Sequence, residues 1–165
     1  MADSAHGCRL RTGRYSESGR IYLVTAVVKN REPFFSDFLV ARLLVNELKR
    51  THQERYVASL AWVVMPDHFH WLIELKHASL STVMQRTKSR AAMGISVAQG
   101  SPLKLWQKGY HDRAIRYDED VVHAARYIVA NPLRAGLVKR LGDYPHWDAI
   151  CLPRPKHALS VTTQL

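Results

Sequence analysis

The amino-acid sequence predicts an α+β fold, with helices packed against a sheet that contains an antiparallel hairpin. Three observations lead there. Stretches dense in β-branched and aromatic residues are interspersed with stretches of helical periodicity. Two of the strand-like stretches, 56–65 and 68–75, are separated only by the turn dipeptide Pro66-Asp67. Finally, 165 residues that are 47% hydrophobic and 23% charged suit one compact domain with a buried core.

Taken in order, residues 1–19 are poor in apolar side chains and rich in Arg, Ser and Gly, which predicts a basic arm. "RIYLVTAVV", 20–28, has strand composition, and "REPF" breaks it. From Ser36 to about Thr51, Leu39, Leu43, Leu44 and Leu48 recur at helical spacing, with Ser36 as the expected N-cap. "YVASLAWVVM" and "HFHWLIEL" form the hairpin. Leu80 to about Met93 reads as a helix opened by Ser79 or Ser81, followed by "GISVAQGSP" as a loop. "LKLWQKGYHDRAI" holds a short strand. Asp118–Ala130 is a helix with acidic residues in its first turn, as the macrodipole favours, and Asn131-Pro132 ends it. From Pro145 the chain is Pro-rich and basic. The expected organisation is an arm at 1–19, a domain at 20–147 and a basic tail at 148–165.

The formal net charge is +10, which favours polyanionic partners, nucleic acid first. No window reaches membrane-spanning length, and no basic amphipathic stretch suggests a membrane surface. The N-terminus lacks the apolar run of a signal peptide, and Cys8 and Cys151 form no CxxC pair. A cytoplasmic setting is expected.

Two features carry chemistry. His68 and His70 alternate along a strand, so they project from one face while Phe69 enters the other. Two neighbouring imidazoles make half a metal site, although a bare HxH is more often one core and one exposed histidine. On the helix before Asn131-Pro132, Tyr127 and Asn131 are four residues apart and share a face, with Asp120 and His123 on the same side. Val121, Val122, Ala125, Ile128 and Val129 supply the apolar side.

This order of an HxH pair and then a helical Tyr-x-x-x-Asn followed by Pro, in a basic chain, resembles the single-tyrosine HUH endonucleases. Within them it resembles the REP-associated tyrosine transposases. The stretches that carry the likeness are "GRIYLVTAVVKNREPFF", "WVVMPDHFHWLIEL" and "AIRYDEDVVHAARYIVANPLRAGLV", spanning about 12–147. Relaxases place their tyrosine before the HUH pair; here it follows. The resemblance implies a ferredoxin-like central antiparallel sheet with the histidines on a central strand and the tyrosine on a helix beside it. It implies Tyr127 as nucleophile and His68, His70 and Asn131 as ligands of Mg²⁺ or Mn²⁺. Asn131 stands where the broader group uses a glutamine, one methylene longer. The implied substrate is single-stranded DNA beside a hairpin, and the implied assembly a monomer or a homodimer. The implied reaction is covalent: a phenol attacks the phosphodiester, the 3′-oxygen leaves, and a 5′-phosphotyrosine forms. Asp120 or His123 could assist proton transfer.

Basic residues cluster in "RLRTGR", "QRTKSR" and "PLRAGLVKR". Arg14, Arg20, Arg86, Lys88, Arg90 and Arg134 are the expected phosphate contacts. The arm from Arg9 to Arg20 is expected to read bases beside the hairpin. Trp62, Trp71, Trp106 and Trp147 are candidates for base stacking or for the core. Two rival functions remain: a DNA-binding module without catalysis, and a metal-dependent phosphodiesterase using water. The two-histidine phosphoesterases require paired HxT or HxS motifs, which are absent here.

Overall fold

Alternation along β1, Ile21–Val27, decides how the sheet is built. Tyr22, Val24 and Ala26 are buried on one side, while Ile21, Leu23 and Thr25 are half-buried on the other. The computed structural model describes residues 17–116 and 118–150, with backbone only at 118 and 119. Most of the expected basic arm, including Arg14, and the tail from residue 151 lie outside the described residues.

The chain runs through β1, α1 (Phe38–Gln53), β2 (Val57–Met65), β3 (His68–Leu75), α2 (Leu80–Gln99), β4 (His111–Ile115), α3 (Asp118–Val129), α4 (Asn131–Arg134) and β5 (Trp147–Ala149). The sheet order is β4-β1-β3-β2-β5 and every pairing is antiparallel. The β1-α1-β2 crossover, with β3 inserted between its strands, is the split βαβ unit of ferredoxin-like folds. The predicted α+β class, with helices on a central antiparallel sheet, is the one observed.

Each face carries a separate core. On one, Tyr22, Val24, Phe69, Trp71 and Ile73 meet Ala41, Leu44 and Leu48 of α1 and Val83, Met84 and Ile95 of α2. Each such burial contributes roughly 1.5–3 kcal/mol. On the other, Ala61, Val63, Met65, Leu72 and Ile115 meet Ala124, Ala125, Ile128 and Val129 of α3. The alternation that buries Phe69, Trp71 and Ile73 under α1 and α2 turns His68 and His70 toward the α3 face.

Four expectations are corrected. The N-cap of α1 is Asp37, not Ser36. Its carboxylate accepts from the amides of Leu39 and Val40 at 2.8 and 3.1 Å, while Ser36 closes a 3₁₀ turn. Next, α2 continues through the expected loop to Gln99, because the fully buried Ile95 extends the stripe of Leu80, Met84, Thr87 and Ala91. Gly94 is tolerated inside it, and Gly100, at φ +69°, provides the left-handed C-terminal stop. Third, α3 ends at Val129, as Asn131-Pro132 predicts, but a further helical turn, α4, follows at once where none is expected. Pro132 has no N–H to offer the Ile128 carbonyl; the side-chain amide of Asn131 donates to that carbonyl at 3.0 Å, and α4 follows. Lastly, the fold runs past residue 147. The β5 strand pairs with the β2 edge, and the Ile150 amide donates to the Leu60 carbonyl at 2.9 Å. Among the described residues no helix is long and apolar enough to cross a membrane.

Candidate active site

The hairpin turn fixes the histidines before any ligand is considered. Its two carbonyls are held from outside: the Val28 amide donates to Asp67 O at 2.8 Å, and the Phe35 amide to Pro66 O at 2.9 Å. His68 then pairs with Met65 and Val27, and His70 with Val63 and Thr25. The two rings stand 4.9 Å apart, edge to face at 79°. Each ring has one nitrogen engaged. His68 Nδ1 lies 2.6 Å from Asp67 Oδ1, and Asp67 Oδ2 accepts from the Arg31 guanidinium at 3.1 Å. His70 Nδ1 lies 2.7 Å from the Thr25 hydroxyl. Arg31 reaches Asp67 from a turn in which Asn30 and Arg31 both adopt left-handed backbone, φ +56° and +52°.

Electrostatics agree with this arrangement. Burial, the neighbouring His68 and the Arg134 charge push the His70 imidazole down to about 4, so at neutral pH it is the neutral lone-pair donor. Desolvation pulls the Asp67 carboxyl upward, but the hydrogen bonds from His68 and Arg31 outweigh it and hold the group below the usual carboxylate range.

The predicted nucleophile lies on the same side of the sheet. Ala124, Ala125, Ile128 and Val129 of α3 are buried against the strand residues flanking the histidines, leaving Tyr127 56% exposed. Asp120 and His123 are exposed too. The Arg134 guanidinium lies over the Tyr127 ring, 4.1 Å from its centroid. Ile128 and Val129, at the C-terminal end of α3, share a core with Val63 and Met65, the strand partners of His70 and His68.

The histidine pair fits a metal. Ligating histidines ordinarily have the second ring nitrogen anchored by a carboxylate, hydroxyl or carbonyl, and both are anchored here through Nδ1, leaving Nε2 to the metal. Among the described residues no three His, Cys, Asp or Glu side chains converge. Asn131 has the right chemistry, but its Oδ1 accepts from Arg134 at 2.9 Å and its Nδ2 is spent on the Ile128 carbonyl.

Of the other expected phosphate contacts, the described ones, Arg20, Arg86, Lys88 and Arg90, are not brought to the histidines. Arg86 and Arg90, on α2 beyond the opposite face, both bond the Glu54 carboxylate, which Arg50 also reaches. Arg86 in addition covers the Tyr56 ring. Lys88 donates to the carbonyls of Gln107 and Gly109. Arg20 sits before β1, at the end of the sheet away from the histidines, 3.5 Å from Glu17. Trp62 and Trp71 are core residues, not stacking platforms, and Trp106 and Trp147 are half-buried with their ring N–H groups bonded to carbonyls. Sequence reasoning missed Thr25, Asp67 and Arg31. It also missed His111 and Arg113, exposed on β4 and aligned by register with Thr25 and Leu23 on the histidine face. Asp67, adjacent to His68, was the one of these with a visible signal.

Comparison with known proteins follows the same lines. Residues 17–131 match the family described as Transposase IS200 like. A REP-associated tyrosine transposase of Escherichia coli strain K12 is 26% identical over 136 residues, covering 80% of this chain and 78% of that protein. A Haemophilus influenzae protein assigned to the same type is 24% identical over 144 residues, covering 78% of each chain. Among solved structures, a REP-associated tyrosine transposase bound to a REP hairpin superposes with a TM-score of 0.68 at 26% identity, covering 89% of this chain and 82% of that one. A crystal structure from Deinococcus radiodurans, 19% identical with a TM-score of 0.51, covers 78% of this chain and 95% of that one and shares the fold.

Proposed function

Since the chain belongs to the IS200-like transposase family, whose members cut and rejoin DNA, we propose that it nicks and joins single-stranded DNA beside REP-like hairpins through a 5′-phosphotyrosine at Tyr127. The observation that carries this reading is the pair of imidazoles, each anchored through Nδ1, on the sheet face against which the tyrosine helix packs. The hairpin substrate rests on the relative whose structure holds a REP hairpin.

In this reading Tyr127 Oη attacks phosphorus, the bond to the 3′-oxygen breaks, and the phenol proton passes to solvent while the departing oxygen takes one up. Attack by a 3′-hydroxyl reverses the step and joins strands. His68 and His70 would hold Mg²⁺ or Mn²⁺, with Asn131 as the expected amide donor once its oxygen is released from Arg134. The ion would neutralise charge on the non-bridging oxygens and orient the phosphate for in-line displacement. Asp67 and Thr25 keep the two rings aimed. Arg14 and Arg20 of the arm would contact the strand beside the hairpin. Acting on DNA, the chain would work in the cytoplasm.

The test is a labelled single-stranded hairpin oligonucleotide incubated with Mn²⁺ and resolved on a denaturing gel. An SDS-resistant protein–DNA band, lost in Tyr127→Phe and His70→Ala, is expected. Cleavage that persists in Tyr127→Phe without an adduct would replace this reading with a water-using phosphodiesterase.

A further inference from the structure

Arg134 lies in the most basic stretch of the sequence, yet its side chain is turned onto the tyrosine helix. One nitrogen, Nη2, donates to the Tyr127 carbonyl at 2.7 Å and to Asn131 Oδ1 at 2.9 Å. The same guanidinium is stacked on the Tyr127 ring at 4.1 Å. One side chain thus holds the backbone, the ring and the neighbouring amide. Arg134 lies seven residues after Tyr127, at the end of the single turn of α4.

Capping a helix C-terminus requires only the bond to the carbonyl. The stack needs a different account. Tyr127 remains 56% exposed even with the guanidinium on its ring. Among the described residues its hydroxyl has no hydrogen-bond partner. An exposed tyrosine with nothing at its tip samples several rotamers.

We propose that Arg134 is a positioning residue that locks the Tyr127 ring in the rotamer from which its phenol meets the bound phosphodiester. This rests on Tyr127 being the nucleophile. Lysine does not substitute, since an ammonium cannot lie flat on the ring while donating to the Tyr127 carbonyl.

Arg134→Lys and Arg134→Ala, compared with wild type and Tyr127→Phe, separate the possibilities. Three quantities are measured on the full chain: hairpin affinity by anisotropy, the single-turnover rate of adduct formation at saturating DNA, and the ¹⁹F resonance of 3-fluorotyrosine placed at position 127. For Arg134→Lys, which keeps the positive charge a phosphate would meet, we expect a rate at saturating DNA lower by about 100-fold, as a displaced nucleophile gives, and a moved and broadened fluorine resonance. A wild-type rate and unmoved resonance in Arg134→Lys, with Tyr127→Phe inactive, would overturn the positioning role and leave Arg134 as a plain charge. Adducts in Tyr127→Phe would overturn the nucleophile assignment and this role with it. Should Arg134→Ala fail to fold, the lysine variant still decides.

Discussion

Removing Asp67 should weaken metal binding while leaving the fold nearly untouched. In Asp67→Ala, His68 loses the carboxylate 2.6 Å from its Nδ1, and Arg31 loses its partner. The Arg31–Asp67 pair has side-chain exposures of 66% and 23%, so its loss costs about 0–1 kcal/mol of stability. The hairpin persists, because its turn is held through the backbone carbonyls of Pro66 and Asp67. Loss of an outer-shell partner typically lowers metal affinity about 10–100-fold, roughly 1.4–2.7 kcal/mol. The binding effect therefore exceeds the stability effect. Asp67→Asn keeps an acceptor oxygen but not the charge and should fall between wild type and Ala. Mn²⁺ titration followed by electron paramagnetic resonance, paired with thermal melts, measures both quantities. If Asp67→Ala bound Mn²⁺ like wild type while His68→Ala did not, the claim that Asp67 orients His68 would be wrong.

Three further outcomes follow from the same structure. Hydrogen bonds from Arg86, Arg50 and Arg90 outweigh desolvation and hold the Glu54 carboxyl down at about 2; an unfolded glutamate titrates near ~4.3, so its stabilisation is complete above that value and is lost as pH falls toward 2. Glu54→Gln should flatten acid-denaturation curves in that window, and an unchanged slope would contradict the assignment. Thr51 and Thr87 share a buried hydrogen bond of 3.1 Å, but Thr51 also donates to the Glu47 carbonyl. Thr51→Val, which strands the Thr87 hydroxyl, should cost about 1–3 kcal/mol in urea unfolding, and Thr87→Val only about 0.5–1.5; the reverse ranking would refute this accounting. Arg113, exposed on the histidine face, should contact a phosphate, so Arg113→Gln should lower the salt slope of hairpin binding by about 1, and an unaltered slope would remove it from the DNA path.

Much of this was legible in the sequence because it depends on local pattern. The period-2 alternation of "HFHWLIEL" places both imidazoles on one face, and Pro66-Asp67 leaves room only for a tight hairpin. The apolar stripe of α3 fixes which side of it is left for Tyr127. What remained hidden depends on pairing. Thr25 sits 45 residues from His70 and meets it only because β1 lies beside β3, a neighbour relation no local signal encodes. Arg86 and Arg90 looked like a phosphate track because their charge is visible in sequence while Glu54, their partner across α1 and α2, is not. β5 was missed because three residues are too few for a periodic signal; the open edge of β2 recruits them.

The central claim is that Tyr127 carries the DNA during the reaction. Its most direct test is peptide mapping by mass spectrometry of the protein after reaction with a hairpin oligonucleotide and Mn²⁺, followed by nuclease trimming. The account predicts a single modified peptide, with a nucleotide joined through its 5′-phosphate to Tyr127. A nucleotide on another residue, or cleaved DNA with every tyrosine unmodified, would contradict it.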